Sequence, residues 1–230
     1  MIIHLKEVIN KDELQSMRTI LESPGTPWIE GKKTAGTQAQ LVKNNEQLQS
    51  GSEQAKRLRK IVLDALKRNP IFFAAALPKK IFNPMFNRYR PEAPTYGPHI
   101  DGAILYSHDD SFWVRGDISC TLFLSDPDEY DGGELIVHDV SGINRLKLPA
   151  GDAILYPGGS LHSVSPVVRG VRLASFFWIE SMVRNVEQRK ILFELDKNIL
   201  SLRSAIGECE QTVALTGIYH NLLRLWGDTL

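Results

Sequence analysis

Two hydrophobic periods divide the chain. Near its start, Leu14, Met17 and Leu21 recur at spacings of three and four behind Asn10-Lys11-Asp12-Glu13, which predicts a capped amphipathic helix ended by Pro24-Gly25. Segment 31–51 is polar and has no usable period; Gln38 and Gln40 alternate with Ala39 and Leu41, which permits a short strand without requiring one. From Ser52, the residues Ala55, Leu58, Val62 and Ala65 form a second helical stripe, closed by Asn69-Pro70.

Between about 78 and 180 the pattern changes to short apolar, β-branched and aromatic runs separated by turn-forming clusters. The runs are 81–89, 96–101, 117–124, 134–138, 145–148, 152–156, 161–164 and 171–179. These suit a jelly roll, a double-stranded β-helix whose two antiparallel sheets close around a pocket. Beyond Val183 the helical period returns in Ile191, Leu195, Ile199 and Leu202, then in Leu215, Ile218, Leu222, Leu225 and Trp226.

The expected fold is therefore mainly β with flanking helices: an N-terminal helical segment (1–77) packing on the core, a jelly-roll domain (78–182) and a C-terminal helical segment (183–230). The last segment carries more apolar stripe than a thin appendage buries alone. It is expected to pack on the sheet or on a second copy, giving a homodimer.

Composition narrows the picture. With 230 residues, 43% hydrophobic and 23% charged, the chain suits one sizeable domain and leaves no room for a long disordered tail. Lys plus Arg equals Asp plus Glu at 27 each, so no net field draws it to nucleic acid or to an anionic membrane. Cys120 and Cys209 stand far apart and outside any metal knuckle or redox pair, and read as reduced thiols. No leader pattern opens the chain and no window reaches the length of a membrane span, so a cytoplasmic location is expected.

The chemistry concentrates in three places. His99-Ile100-Asp101 puts two ligating heads on one face if the chain is extended there. His162 follows Asp152-Ala153-Ile154-Leu155-Tyr156 and a Pro157-Gly158-Gly159 turn that can fold it back to the same ion. Two imidazoles and a carboxylate on one face of a metal match non-haem iron(II) oxygenases, and zinc would accept the same ligands. His138 ends a strand without a partner motif, and His108-Asp109-Asp110 reads as a solvated loop that could touch substrate.

Arg172 is set into the apolar run 171–178, where a buried charge needs a partner. A protein carboxylate or solvent at the strand end could serve. Its place near the start of a strand beside His162 favours a ligand carboxylate received by its planar fork. Asp131-Gly132-Gly133-Glu134 reads as a hairpin turn with structural duty alone.

Taken together, Phe86-Asn87-Arg88-Tyr89, His99-Ile100-Asp101-Gly102-Ala103, Asp131-Gly132-Gly133-Glu134-Leu135, the stretch 149–157 and the span from His162 to Arg172 resemble the Fe(II)/2-oxoglutarate dioxygenases. Within that family they resemble the prolyl 4-hydroxylase-like branch, and more narrowly the bacterial PKHD-type hydroxylases. The resemblance implies that His99, Asp101 and His162 bind Fe(2+) and that Arg172 holds the distal carboxylate of 2-oxoglutarate. Arginine at that place is the PKHD-type choice where many relatives use lysine. Tyr89 would face the co-substrate, with a core aromatic as the alternative.

The implied reaction consumes O2 and 2-oxoglutarate, releases succinate and CO2 and hydroxylates an unidentified substrate, with L-ascorbate (vitamin C) as reductant. The rival reading is a cupin-like metalloprotein, either a zinc hydrolase or isomerase or a non-catalytic small-acid sensor. A hydrolase would want an acid or base beside the metal, and none is evident near His99 or His162.

Overall fold

Asn10 opens the first helix by a reciprocal exchange: its Oδ1 accepts from the Glu13 amide at 2.9 Å while Glu13 Oε2 accepts from the Asn10 amide at 3.1 Å. Helix α1 then runs over Lys11–Glu22. Ser52 caps α2 (Glu53–Lys67). Asn69-Pro70 does more than stop α2: Asn69 caps a further short helix, α3 (Pro70–Ala76), with proline in its first turn, where the missing N–H costs nothing. The chain ends in α4 (Val186–Ile206) and α5 (Glu210–Trp226). This computed structural model describes residues 1–34, 40–107, 111–140 and 142–229; Gln38, Ala39 and His108 lie outside them.

The strands in chain order are β1 (Ile3–Leu5), β2 (Trp28–Glu30), β3 (Lys43–Asn44), β4 (Glu46–Leu48), β5 (Pro78–Ile81), β6 (Met85–Tyr89), β7 (Thr95–His99), β8 (Ile104–Ser107), β9 (Phe112–Arg115), β10 (Ile118–Phe123), β11 (Tyr130–Gly132), β12 (Leu135–Asp139), β13 (Gly142–Leu146), β14 (Ala153–Pro157), β15 (His162–Val164), β16 (Val167–Gly170) and β17 (Arg172–Ser181). Among the described residues, β1-β14-β10-β17-β6-β4-β2 form the major sheet, with β5 also on β17, and β13-β12-β15-β7-β3 form the minor sheet. Two short pairs, β11-β16 and β8-β9, complete the set. All pairings are antiparallel, as a jelly roll requires.

Alternation along the major sheet separates two cores. Phe86, Cys120, Leu122, Leu155, Leu173 and Phe177 face outward into a cluster with Met17, Leu21, Leu58 and Val62 of α1 and α2. Tyr89, Phe123, Ile154 and Tyr156 face inward, toward Leu135, Val137 and Val164 of the minor sheet. Cover on both faces explains why the β17 run reads as continuously apolar.

Several expectations shift. Segment 1–77 supplies β1 to β4 as well as helices, so it is woven into both sheets. These strands are two or three residues long, too short for a period to show. The 152–156 and 161–164 runs do not form a hairpin: β14 lies in the major sheet and β15 in the minor one, and the Pro157-Gly158-Gly159 turn crosses between them. Asp131-Gly132-Gly133-Glu134 is not a hairpin turn either. Its first residues pair with β16 through a bulge before the chain enters β12.

Part of the apolar stripe beyond Val183 finds cover within the chain. Leu192 and Ile199 of α4 and Tyr219 of α5 bury with Leu77 and Val183. Ile191, Ile218 and Leu225 of the same stripe stay exposed.

Gly170 illustrates a backbone demand. It sits at φ +72°, and a Cβ there would lie 2.0 Å from the Glu129 carbonyl oxygen across the β11-β16 pair. Gly170→Ala is expected to lose more than about 1–2 kcal/mol of stability, from the left-handed backbone with the clash added. A denaturant midpoint equal to that of the parent chain would contradict this.

Candidate active site

Antiparallel pairing brings the two histidines together. His99, the last residue of β7, stands in register with His162, the first of β15, and their ring centres are 4.2 Å apart. Asp101 lies two residues past β7, beyond the strand in which it was expected, and its carboxylate still turns back toward both rings. His99 Nε2 is 3.8 Å from Asp101 Oδ1, and His162 Nε2 is 3.6 Å from Asp101 Oδ2. Among the described residues, these three form a His/Cys/Asp/Glu group whose ligand atoms all lie within 4.8 Å of one another.

Outer contacts set the tautomers. His99 Nδ1 meets the Gly97 carbonyl at 2.8 Å and His162 Nδ1 meets the Ser160 carbonyl at 3.0 Å. A carbonyl only accepts, so each Nδ1 carries the proton and each Nε2 presents a lone pair to the shared centre. Ser119 Oγ donates to Asp101 Oδ2 at 2.6 Å and so aims the carboxylate. Tyr96 stacks on His99 at 3.6 Å, and Tyr156 presents its edge to His162 at 5.2 Å. Burial first, and then His162 beside it, draws the His99 pKa down to about 4, so the imidazole is neutral at pH 7. Two imidazoles and a carboxylate could hold a divalent metal.

A cavity of about 410 Å³ opens from this cluster. Its floor is the inner face of β6 and β17, whose register places Arg172 beside Tyr89, Ala174 beside Asn87 and Phe176 beside Met85. Arg172 is 1% exposed, and among the described residues none of its guanidinium nitrogens has a hydrogen-bond partner. Among the described residues no carboxylate meets it, which counts against one of the alternatives left by the sequence. The guanidinium carbon lies 5.2 Å from the Tyr89 ring centre and 5.3 Å from that of Phe123. Burial raises the pKa of the Tyr89 and Tyr130 hydroxyls, against the opposing pull of Arg172, so both stay protonated as donors. A desolvated cation beside two phenols suits a carboxylate of a ligand.

The expected site residues His99, Asp101, His162, Arg172 and Tyr89 thus line one cavity. His138 is exposed on β12, away from it. Sequence reasoning passed over Tyr96, Ser119, Lys43, Asn45 and Asn87, which also line the cavity. Asn87 alternates with Tyr89 on β6 and could have been found from that spacing. The others depend on pairings distant in sequence.

Comparison with known proteins adds a separate line of support. Residues 84–180 match the model of the 2OG-Fe(II) oxygenase superfamily, and residues 187–228 match that of the PKHD-type hydroxylase C-terminal domain. A PKHD-type hydroxylase of Variovorax paradoxus is 51% identical over 229 residues, covering 99% of this chain and all of the relative. The PKHD-type hydroxylase YbiX of Escherichia coli is 50% identical over 228 residues, again covering 99% of this chain and all of the relative. Among solved structures, a prolyl hydroxylase from Trichoplax adhaerens, in complex with a hypoxia inducible factor peptide fragment, superposes with a TM-score of 0.55. That match has 14% identity and covers 83% of this chain and 86% of the other, a likeness of fold.

Proposed function

Because the chain belongs to the PKHD-type hydroxylases, Fe(II)- and 2-oxoglutarate-dependent dioxygenases, we propose that His99, Asp101 and His162 hold its iron and that Arg172, with Tyr89, receives 2-oxoglutarate. Family membership decides against the zinc hydrolase and the small-acid sensor. The observation that carries the site is the pair of imidazoles locked by backbone carbonyls, with both Nε2 atoms turned toward the Asp101 carboxylate. When bound, iron(II) with 2-oxoglutarate and O2 supplies the oxidation of a C–H bond, 2-oxoglutarate leaving as succinate and CO2.

The chain's own work is positional. Gly97 and Ser160 fix the imidazoles, Ser119 aims Asp101, and Arg172 orients the acid from the opposite sheet. The walls of Met85, Phe176 and Trp178 limit water in the cavity. Ser119→Ala is expected to weaken manganese(II) binding by about 10- to 100-fold, the usual cost of removing an outer partner of a metal ligand. Unchanged affinity would mean that Asp101 needs no such support. The site as a whole is tested by titrating the anaerobic protein with iron(II), for which one equivalent per chain is expected.

Ascorbate is assigned as reductant on family grounds, and omitting it should shorten the linear phase of succinate formation. The free thiols of Cys120 and Cys209 favour a reducing, cytoplasmic setting. No helix among the described residues is long and apolar enough to cross a membrane. The expected homodimer rests on exposed Ile191, Ile218 and Leu225 of α4 and α5, and light scattering that shows only monomer would remove it.

A further inference from the structure

Lys43 is used by neither the metal cluster nor the acid anchor. It lies on β3 opposite Tyr96 of β7 and is only 4% exposed. Its Nζ donates to Gln47 Oε1 at 2.6 Å and stands 5.0 Å from the centre of the Tyr96 ring and 6.0 Å from that of Phe176. Tyr96 in turn stacks on His99, so the ammonium is one ring removed from the metal cluster. Gln47 is neutral, and its amide oxygen fixes the head. The field of Asp101, which the proposed site commits to iron, reaches Lys43.

Position along β17 separates Lys43 from the 2-oxoglutarate anchor. Arg172 and Phe176 project from the same face of that strand, four residues and roughly 13 Å apart. Lys43 belongs to the Phe176 end. There the cavity is walled by Met85, Phe176 and Trp178, which suit a hydrocarbon portion, and Lys43 supplies the cation beside them. An ammonium in this setting is poorly hydrated; burial draws its pKa down to about 8, which leaves it mainly charged at pH 7. An anion gains most from a cation in that state.

We propose that Lys43 is a specificity-determining residue that reads a carboxylate on the hydroxylated substrate, whose hydrocarbon part lies against Met85, Phe176 and Trp178. The substrate class is an acid whose reactive C–H stands a few bonds from its carboxylate. Either a free small acid or an acidic side chain of a polypeptide supplies that chemistry. The inference rests on the iron and 2-oxoglutarate site proposed above.

The test uses the full chain loaded with manganese(II) and saturated with 2-oxoglutarate, and reads the paramagnetic relaxation of probe protons by NMR. Acetate is compared with acetamide, its neutral counterpart, and the side chain of N-acetyl-aspartic acid amide with that of N-acetyl-asparagine amide. The charged member of at least one pair is expected to relax faster, and Lys43→Met to abolish the difference while leaving manganese and 2-oxoglutarate affinities unchanged. A larger effect for the aspartic acid amide assigns the carboxylate to a polypeptide, and a larger effect for acetate assigns it to a free acid.

Equal relaxation within both pairs in the parent protein overturns the proposal, and this comparison decides even if Lys43→Met fails to fold. A difference that persists in Lys43→Met overturns it as well. So does weakened 2-oxoglutarate binding in that variant with manganese retained, which would give the ammonium to the co-substrate. Calorimetry of the parent protein identifies the other failure: no manganese binding at all removes the site reading, and this inference with it.

Discussion

His99→Ala, Asp101→Ala and His162→Ala are each expected to reduce 2-oxoglutarate-dependent succinate formation to background. Removing an outer partner of a metal ligand typically costs about 10- to 100-fold, so removing the ligand itself should exceed about 100-fold. The geometry leaves no substitute: among the described residues, only these three bring ligand atoms together around the centre. The backbone that presents each histidine is held by the β7-β15 pairing, which the side chains do not create. Folding should therefore survive, and an unchanged circular dichroism spectrum would separate loss of metal from loss of structure. A variant that keeps tight manganese(II) binding and full turnover would remove its residue from the triad.

For Arg172→Ala the expectation is a loss of 2-oxoglutarate affinity of about 2–5 kcal/mol, the range found when one partner of a buried charge pair is truncated. Binding of manganese(II) should change little, because the proposed metal cluster lies on the other sheet. Stability should move the opposite way. A buried guanidinium without a hydrogen-bond partner among the described residues costs the free protein folding energy, so its removal should hold or raise the denaturation midpoint, less the packing lost against Tyr89 and Phe123. Function and stability are then expected to diverge at one residue. Arg172→Lys should recover part of the affinity by restoring charge without the planar fork. Calorimetry with manganese(II) measures each term without turnover, and undiminished 2-oxoglutarate affinity in Arg172→Ala would sink the assignment.

What could be read in advance depended on how local its cause was. The Asn10 and Glu13 exchange is settled within four residues and formed as the sequence suggested. So did the long apolar run of β17, where Arg172 stands out as a charge. The position of Asp101 was misjudged because strand pairing stops at His99, a fact fixed by β15 and not by the residues near Asp101. The same holds for the 157–159 turn. Its glycines announce a reversal, but whether the chain returns to its own sheet or crosses to the other depends on partners far along the sequence. Lys43 was missed for a related reason: it gains meaning only when β3, two residues long, docks on β7.

The division of labour between the sheets has a thermodynamic consequence. The proposed metal cluster hangs from the minor sheet through β7 and β15, while the proposed acid anchor stands on the major sheet through β17 and β6. A molecule held at both ends is a tie across the gap, favouring the arrangement in which the two layers are closed. Its binding energy adds to the resistance of the whole sandwich, in proportion to the logarithm of its concentration over its dissociation constant. Amide hydrogens of β15 and β17, far apart in sequence, should then slow their exchange in concert as 2-oxoglutarate is added with manganese(II).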